Sequence, residues 1–542
     1  MAPPKFVCAN WDPDEEGCKE IGTFTCKNCR LVLYCGSVCQ KADWKRHKVL
    51  CQSPLNKESW MPAWYEEGRV PTFVTETTPQ DIGPPRHLWG SAPAVDVLKL
   101  DANEGNDDLR NAFKTIAELP ETRTASIDIT VNDLDTPTVS RHVILLLIAV
   151  QSATRIVNVD EAVDCMLHVW YSSLIRQSDL GILEKLVKPV IQNVCDTIKT
   201  RGPEEVIKTW DGLLAYFDVP DGMTAERAHL VRKIGMLSPK MKDLRNREFV
   251  HKSGPGRVGV MRFIEDGLLL PFGSPREDFT VPNPTLFMDH QPWPMRGDNF
   301  PTNGWCTEDV FNTSSGAATS DTYGKLYYHV REVLRGFLQN MARTGATFTI
   351  LQKNPAFLVD EGILAPDTFS RIHVSNFSDF DMAGLSVALI AMVPLLQTPQ
   401  DNPHATLITL SKKGIADTIT EKDRERYIDP NNGWAITANL YLMTRHIPPG
   451  YGPNHPRVFA LGMACEALAE YDDILEGYLV AAKAAETAEL VNAAAKDKHT
   501  IVPKWPFRLK LKYGETGAVE ELHRLLATGH SVEFYLEWKR TA

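Results

Sequence analysis

Apolar positions recur along this chain with two periods, and stretches of each alternate. Ala94–Leu100 reads as a short apolar strand. Over 107–119, Leu109, Phe113 and Ile116 fall at i, i+4 and i+7 of an amphipathic helix, and Ser126–Val131 reads as a second strand. The three make a βαβ unit of about 40 residues, so the strands are expected to run parallel. A Leu- and Ile-rich helix follows over Thr138–Ala153. Helical periodicity continues through 159–200, where Val163, Met166, Trp170 and Leu174 form one core-facing stripe, and on to about residue 247. Residues 270–305 change character. Seven prolines between Pro271 and Pro301 are interleaved with Phe272, Phe279, Phe287, Trp293 and Phe300. A disordered linker is poor in aromatics, so this segment is expected to be an ordered, extended wrap. A long amphipathic helix over Tyr323–Met341 reopens the alternation. Strands are expected at Thr347–Leu351, Phe369–Ser375 and Ala405–Leu410, with a buried helix at Gly384–Leu396 and Ala-rich helices over 457–497. Two late segments, Phe507–Tyr513 and Ser531–Trp538, alternate with period two. The second places Val532, Phe534, Leu536 and Trp538 on one face.

This order, parallel strands with helical crossovers closed by late antiparallel strands, resembles the Rossmann-like class I methyltransferase fold. The fold class expected is therefore α/β: a Rossmann-like sheet split by a helical insertion, preceded by a small N-terminal finger. The corresponding divisions are 1–53 (finger), 54–85 (proline-rich linker), 86–155 (first βαβ part), 156–250 (helical insertion), 251–322 (wrap) and 323–542 (second part). The resemblance implies a cofactor at the C-terminal ends of the first strands, where glycines let backbone approach it. The loop expected there, 101–110, has one glycine, Gly105, among Asp101, Glu104, Asp107 and Asp108, and the second strand ends at Asn132-Asp133. Gly105 and Asp133 are thus either cofactor contacts or strand-end turn residues. Clustered carboxylates repel the carboxylate of S-adenosylmethionine unless Arg110 turns inward, so binding tighter than about 1 mM is not expected.

Length and charge narrow the function classes. At about 150 residues per domain, 542 residues suggest three to four domains. A hydrophobic fraction of 43% and a charged fraction of 23% are ordinary for a globular chain. The net charge of −11 makes a general nucleic-acid binder a poor fit. The longest apolar runs, 143–150 and 383–396, fall short of the ~20 residues of a membrane span. The N-terminus shows no secretory signal, and the expected location is the cytoplasm, with the nucleus open.

The thiols carry the clearest chemistry. Seven of the eleven cysteines lie between Cys8 and Cys51, in the order Cys8, Cys18, Cys26-x-x-Cys29, Cys35-x-x-x-Cys39, His47-x-x-x-Cys51. In a reducing compartment such a cluster points to metal. Eight ligands suffice for two tetrahedral zinc sites, one of four Cys and one of three Cys and one His. The Cys26/Cys29 knuckle turns both sulfurs toward one ion, and the i, i+4 pairs Cys35/Cys39 and His47/Cys51 each share a helix face. About 44 residues build little core, so metal must drive their folding. Cys26-Lys-Asn-Cys29, Tyr34-Cys35-Gly-Ser-Val-Cys39-Gln40 and Trp44-Lys-Arg-His47-Lys-Val-Leu-Cys51 resemble the MYND-type zinc finger. The resemblance implies an interleaved cross-brace: Cys8, Cys18, Cys35 and Cys39 on one zinc, and Cys26, Cys29, His47 and Cys51 on the other. It also implies a non-catalytic module that grips short proline-containing peptides. Nine residues separate Cys8 from Cys18, where the family usually has two. The proline-rich linker predicts that the finger and the remainder fold independently.

His87-Leu-Trp-Gly90, 93–98, Asn103-Glu-Gly105, Asp108-Leu-Arg-Asn111 and 141–147 resemble a fungal domain family of unknown function whose members often carry a MYND finger. That family is related to the N-terminal domain of axonemal dynein assembly factor 3. Other motifs are weaker. Gly254-Pro-Gly-Arg-Val-Gly259 matches a dinucleotide-loop pattern, but no strand is expected before it and no helix start after it. Asn354-Pro-Ala-Phe357 reads as a turn. No serine-hydrolase elbow, zinc-protease helix or phosphate loop is present in the sequence, and no catalytic residue is assigned. The function expected is a zinc-binding interaction adaptor or assembly factor with a methyltransferase-like scaffold. The alternatives are an S-adenosylmethionine-dependent methyltransferase and a zinc-finger transcription regulator. The expected partner is a protein, held through a proline-containing peptide, with neither membrane nor nucleic acid.

Overall fold

In the computed structural model the chain separates into two units, one of Met1–Pro93 with Ser140–Leu338 and one of Ala94–Val139 with Gln339–Ala542. The structure describes residues 6–11, 17–75, 83–84, 86–99, 104–106, 109–154, 156–199, 204–288, 292–428, 433–442, 454–528 and 532–542.

The second unit is organised on a seven-stranded sheet. Its strands are β1 (Glu104–Asn106), β2 (Asp128–Asn132), β3 (Thr347–Leu351), β4 (Arg371–Val374), β5 (Thr406–Ser411), β6 (Ala493–Ala495) and β7 (Phe534–Arg540). They lie in the order β3-β2-β1-β4-β5-β7-β6. The first five pair in parallel, while β7 runs antiparallel to both β5 and β6. Parallel neighbours require crossovers, supplied by the Leu109–Ala117 helix between β1 and β2 and the Leu385–Met392 helix between β4 and β5. Strand β5 is buried at every residue, as befits an inner strand covered on both faces. Its hydroxyls are accordingly bonded: Thr409 Oγ1 accepts from Trp538 Nε1 at 3.1 Å, and Ser411 Oγ donates to Asp379 at 2.6 Å. Leu389, Leu396, Leu407, Tyr478, Phe534, Leu536 and Trp538 meet in one core cluster.

Two expected strands are absent, for the same reason. Residues 94–99 form no strand. The N–H groups of Val95 and Val97 donate to Asn111 Oδ1 (2.9 Å) and Thr115 Oγ1 (3.1 Å) of the following helix, which takes the donors a ladder would use. The strand of the sheet is β1, further along. Likewise residues 507–513 form no strand, because the Glu521 carboxylate accepts from the N–H groups of Lys510 and Leu511, both at 2.9 Å. Strand β6 is instead cut from the Ala-rich stretch read as helix. The sheet is fastened here by Glu537 of β7, whose side chain is wholly buried. It accepts from the N–H groups of Thr500, Ile501 and Val502 and from Lys496 Nζ.

The first unit holds the finger and most of the helices. The helical stripe ends at Tyr171, and Leu174–Arg176 pairs antiparallel with Phe279–Pro282. The last carbonyls of the Val159–Tyr171 helix are closed by Asn283 Nδ2 and by the buried Arg141 guanidinium, which donates to Val169 O and Trp170 O. Phe272, Phe287, Trp293, Phe300 and Trp305 are buried. Residues 54–75 are not the extended connector expected. They include the helical turns Pro54–Asn56, Ala63–Glu66 and Thr72–Thr75, with Trp64 fully buried against Phe73. Residues 254–266, not expected to begin a helix, form one: Ser253 caps Gly256 N, and Gly267 ends it at φ +73°. A Cβ on Gly254 would lie 2.3 Å from Asn56 O, so close backbone approach accounts for that glycine. The finger is not free-standing either. Its Cys8, Ala9, Leu31 and Val32 share a cluster with Val258 and Phe272.

Burial alone would raise the Glu537 pKa, but the surrounding N–H donors and Lys496 outweigh it and hold it below the ordinary value. Its stabilisation is therefore present above about pH 4.3 and is lost as pH falls through the lower folded value. Glu537→Gln is expected to cost about 3 kcal/mol in urea unfolding at pH 7. The gap to the unsubstituted protein should close in acid, and a gap that persisted at low pH would contradict this account.

Candidate metal centre

The finger is assembled from three pieces that the sequence sets locally. Phe24–Thr25 pairs antiparallel with Leu33–Tyr34. Between them Arg30, at φ +53°, donates its N–H to Cys26 O (2.8 Å), which tightens the knuckle carrying Cys26 and Cys29. The Ser37–Cys51 helix then presents Cys39, His47 and Cys51. A short bridge, Val7 with Ile21, brings Cys8 beside Cys18. The insertion between them is pinched at its base, where Cys18 N donates to Asn10 O (2.9 Å) and Ala9 N to Leu33 O (2.7 Å). Cys8 and Cys18 thereby come together although nine residues separate them.

All eight expected ligands converge in two groups, Cys8/Cys18/Cys35/Cys39 and Cys26/Cys29/His47/Cys51, with the ligand atoms of each group within 4.8 Å of one another. The pairs alternate along the chain, which makes the arrangement an interleaved cross-brace. Sulfur separations of 3.3 Å (Cys35–Cys39), 3.6 Å (Cys18–Cys35) and 3.7 Å (Cys26–Cys51) suit the edge of a tetrahedron, about 3.8 Å for ~2.3 Å zinc–sulfur bonds. His47 Nε2 lies 3.5 Å from Cys29 Sγ. The cysteines are free thiols. The donor set fits two zinc ions, and it closes each site with four protein ligands, leaving no open position for substrate or water.

Surrounding groups fix the ligands. Asn28 Nδ2 donates to Cys51 Sγ and to Cys51 O, both at 3.2 Å. Tyr34 Oη donates to the buried Asp43 carboxylate at 2.6 Å, and Arg46 Nε donates to the same carboxylate at 2.8 Å. Burial pushes the Cys29 thiol well up and the His47 imidazole down. The neutral imidazole is the ligating form, whereas the buried thiolates need a cation beside them.

The second expected site stands differently. Gly105 does not lie in a loop after the first strand. It is inside β1, between Thr130 of β2 and Ile372 of β4. Asp101, Asp107 and Asp108 fall outside the described residues. Asp133 follows β2, and its Oδ1 accepts from Asp135 N (2.7 Å) in a turn that leads into the Thr136–Ala153 helix. Asp133 does line a cavity of about 210 Å³, whose walls are largely Ile372, Val374, Phe377, Met392 and Leu395. Sequence reasoning missed these wall residues: Ile372 and Val374 lie within β4 and Met392 in a helix, and only Phe377 carries the signal of following a strand end. Asn354 accepts from Ala356 N in the expected turn.

The family described as MYND finger matches residues 16–51, and a domain of unknown function (DUF4470) matches residues 88–175. Protein CBFA2T2 from Homo sapiens is 43% identical over 42 residues, 8% of this chain and 7% of that protein, and the Mus musculus protein matches equally. Tudor domain-containing protein 1 from Oryzias latipes is 44% identical over 36 residues, 7% of this chain and 3% of that protein. The chain thus spans a small fraction of these relatives. No solved structure matches.

Metal analysis of the purified chain should give two zinc ions. Cys29→Ala or His47→Ala should lose the ion of the second group, and Cys8→Ala that of the first. Two ions retained in Cys8→Ala would exclude Cys8 from the ligand set.

Proposed function

We propose that this protein is a zinc-dependent interaction adaptor or assembly factor whose finger grips a proline-containing segment of a protein partner. In this reading the second unit is a Rossmann-like, class I methyltransferase-like scaffold without chemistry of its own. The observation that carries the adaptor reading is the pairing of two closed, four-ligand metal groups with apolar side chains left in solvent on the same small module. Phe24 is 60% exposed, Val38 79% and Trp44 39%. An indole held on a rigid helix is a ready surface for proline rings. The strand order β3-β2-β1-β4-β5-β7-β6 supports the Rossmann-like reading. The same reading links residues 85–150 to the fungal family and to the axonemal dynein assembly factor 3 domain, through His87-Leu-Trp-Gly90 and Asp108-Leu-Arg-Asn111. A cytoplasmic or nuclear location belongs to the same reading, since clustered thiols that hold metal suit a reducing compartment.

One observation favours the methyltransferase alternative: the cavity at the ends of β2 and β4 has Asp133 on its rim, suited to ribose hydroxyls. Against it, no lysine or arginine is among the described lining residues, which leaves His373 and neutral polar side chains to face the carboxylate of S-adenosylmethionine.

Calorimetry separates the two. The zinc-loaded chain should bind a member of a synthetic proline-rich peptide panel, and Trp44→Ala should weaken that binding at least tenfold, about 1.4 kcal/mol. S-adenosylmethionine should give no signal below about 1 mM. Micromolar S-adenosylmethionine binding abolished by Asp133→Ala would replace the adaptor reading with the enzyme.

A further inference from the structure

We infer that one face of the finger is already engaged by its own chain: the finger is a zinc-dependent clasp over the Gly254–Asp266 helix and the segment 270–275. The contacts are of several kinds. The Arg257 guanidinium donates to Leu55 O and Lys57 O, both at 2.8 Å, and lies 4.8 Å over the Trp60 ring. Trp11 Nε1 donates to Gly273 O at 3.0 Å, and Arg46 covers the Trp11 ring at 4.0 Å while bonding Trp11 O and Ala9 O. Phe272 enters the finger's apolar cluster beside Cys8 and Val32. Gly273 is seated so closely that a Cβ there would lie 2.9 Å from Ala9 Cβ. Farther along, Ser320 N donates to Arg30 O, and the Phe6 ring stands edge-on to Tyr328 at 5.2 Å.

What makes this a metal-dependent clasp is where the finger's contact residues stand. Ala9 follows Cys8, Arg30 follows Cys29, Arg46 precedes His47, and Leu55 lies four residues beyond Cys51. Each is within one to four residues of a metal ligand along the backbone. The finger's own apolar content does not hold them in place once the ions leave. The seam keeps a cavity of about 90 Å³ between Trp11, Arg46, Arg262 and Phe272, so it is packed but not sealed. Zinc loading and protection of the Gly254–Asp266 helix are thus linked, and linkage is reciprocal. The inference is independent of whether Trp44, on the exposed side, also grips a partner.

Hydrogen exchange on the full chain tests it in both directions. Removing zinc with a chelator should speed exchange in peptides covering 254–266 and 268–276 at least tenfold, with the β5 peptide 406–411 as the unchanged reference. Conversely, Arg257→Ala and Gly273→Val should retain two ions yet release them to a chromogenic chelator several-fold faster. Full protection of 254–266 after both ions are lost, or unchanged zinc release in both variants, would overturn the clasp.

Discussion

Two sets of four ligand atoms must each converge to within 4.8 Å, and the architecture of the N-terminal segment follows from that requirement. The finger has two-residue strands and one helix whose buried residues are Asp43, His47 and Cys51, none of them aliphatic. Such a segment lacks the area to hold itself by hydrophobic burial. Because the ligand pairs interleave, each group joins the N-terminal strip or the knuckle to the Ser37–Cys51 helix or the residues just before it. The rigidity so obtained allows single contacts, such as Arg257 on two carbonyls, to be directional rather than adaptive.

Elsewhere the chain relies on side chains that take up main-chain donors and acceptors. Asn111 and Thr115 hold residues 95–97, Glu521 holds 510–511, Glu537 holds 500–502, and Arg141 with Asn283 closes a helix end. In each case a polar group substitutes for a strand or cap. Buried and fully bonded, these groups specify one backbone path where the apolar pattern alone is permissive.

That is also where sequence reading and structure part. Strands β2, β3, β4, β5 and β7 were legible because alternating or unbroken apolar runs bounded by turns leave few other readings. Residues 94–100 and 507–513 carry the same pattern but lose their donors to Asn111, Thr115 and Glu521, partners that periodicity does not reveal. The eight candidate ligands were legible from their clustering, while their sorting into two groups of four came from the resemblance to the MYND-type finger and matches the groups that converge in the structure. The seating of the finger was not. Arg257 lies about 200 residues from the carbonyls it binds, and an arginine's meaning depends on what faces it. No helix start was expected after Gly259, yet the helix begins at Gly254, capped by Ser253 and with a proline in its first turn.

The chain crosses from one unit to the other and back, so β2 and β3 are neighbours in the sheet although Asp128 and Thr347 are 219 residues apart. Closing so long a loop from a disordered chain is entropically costly, and topologies rich in such pairings fold slowly. If the intervening 140–338 has already folded, the effective loop is shorter and the register search narrower. Under the clasp inferred above, metal supply acquires a kinetic role remote from its coordination sphere. A chain made in the absence of zinc starts its sheet search with part of that intervening segment unanchored, and its central parallel strands stay longer with unpaired edges, the condition under which newly made α/β chains aggregate.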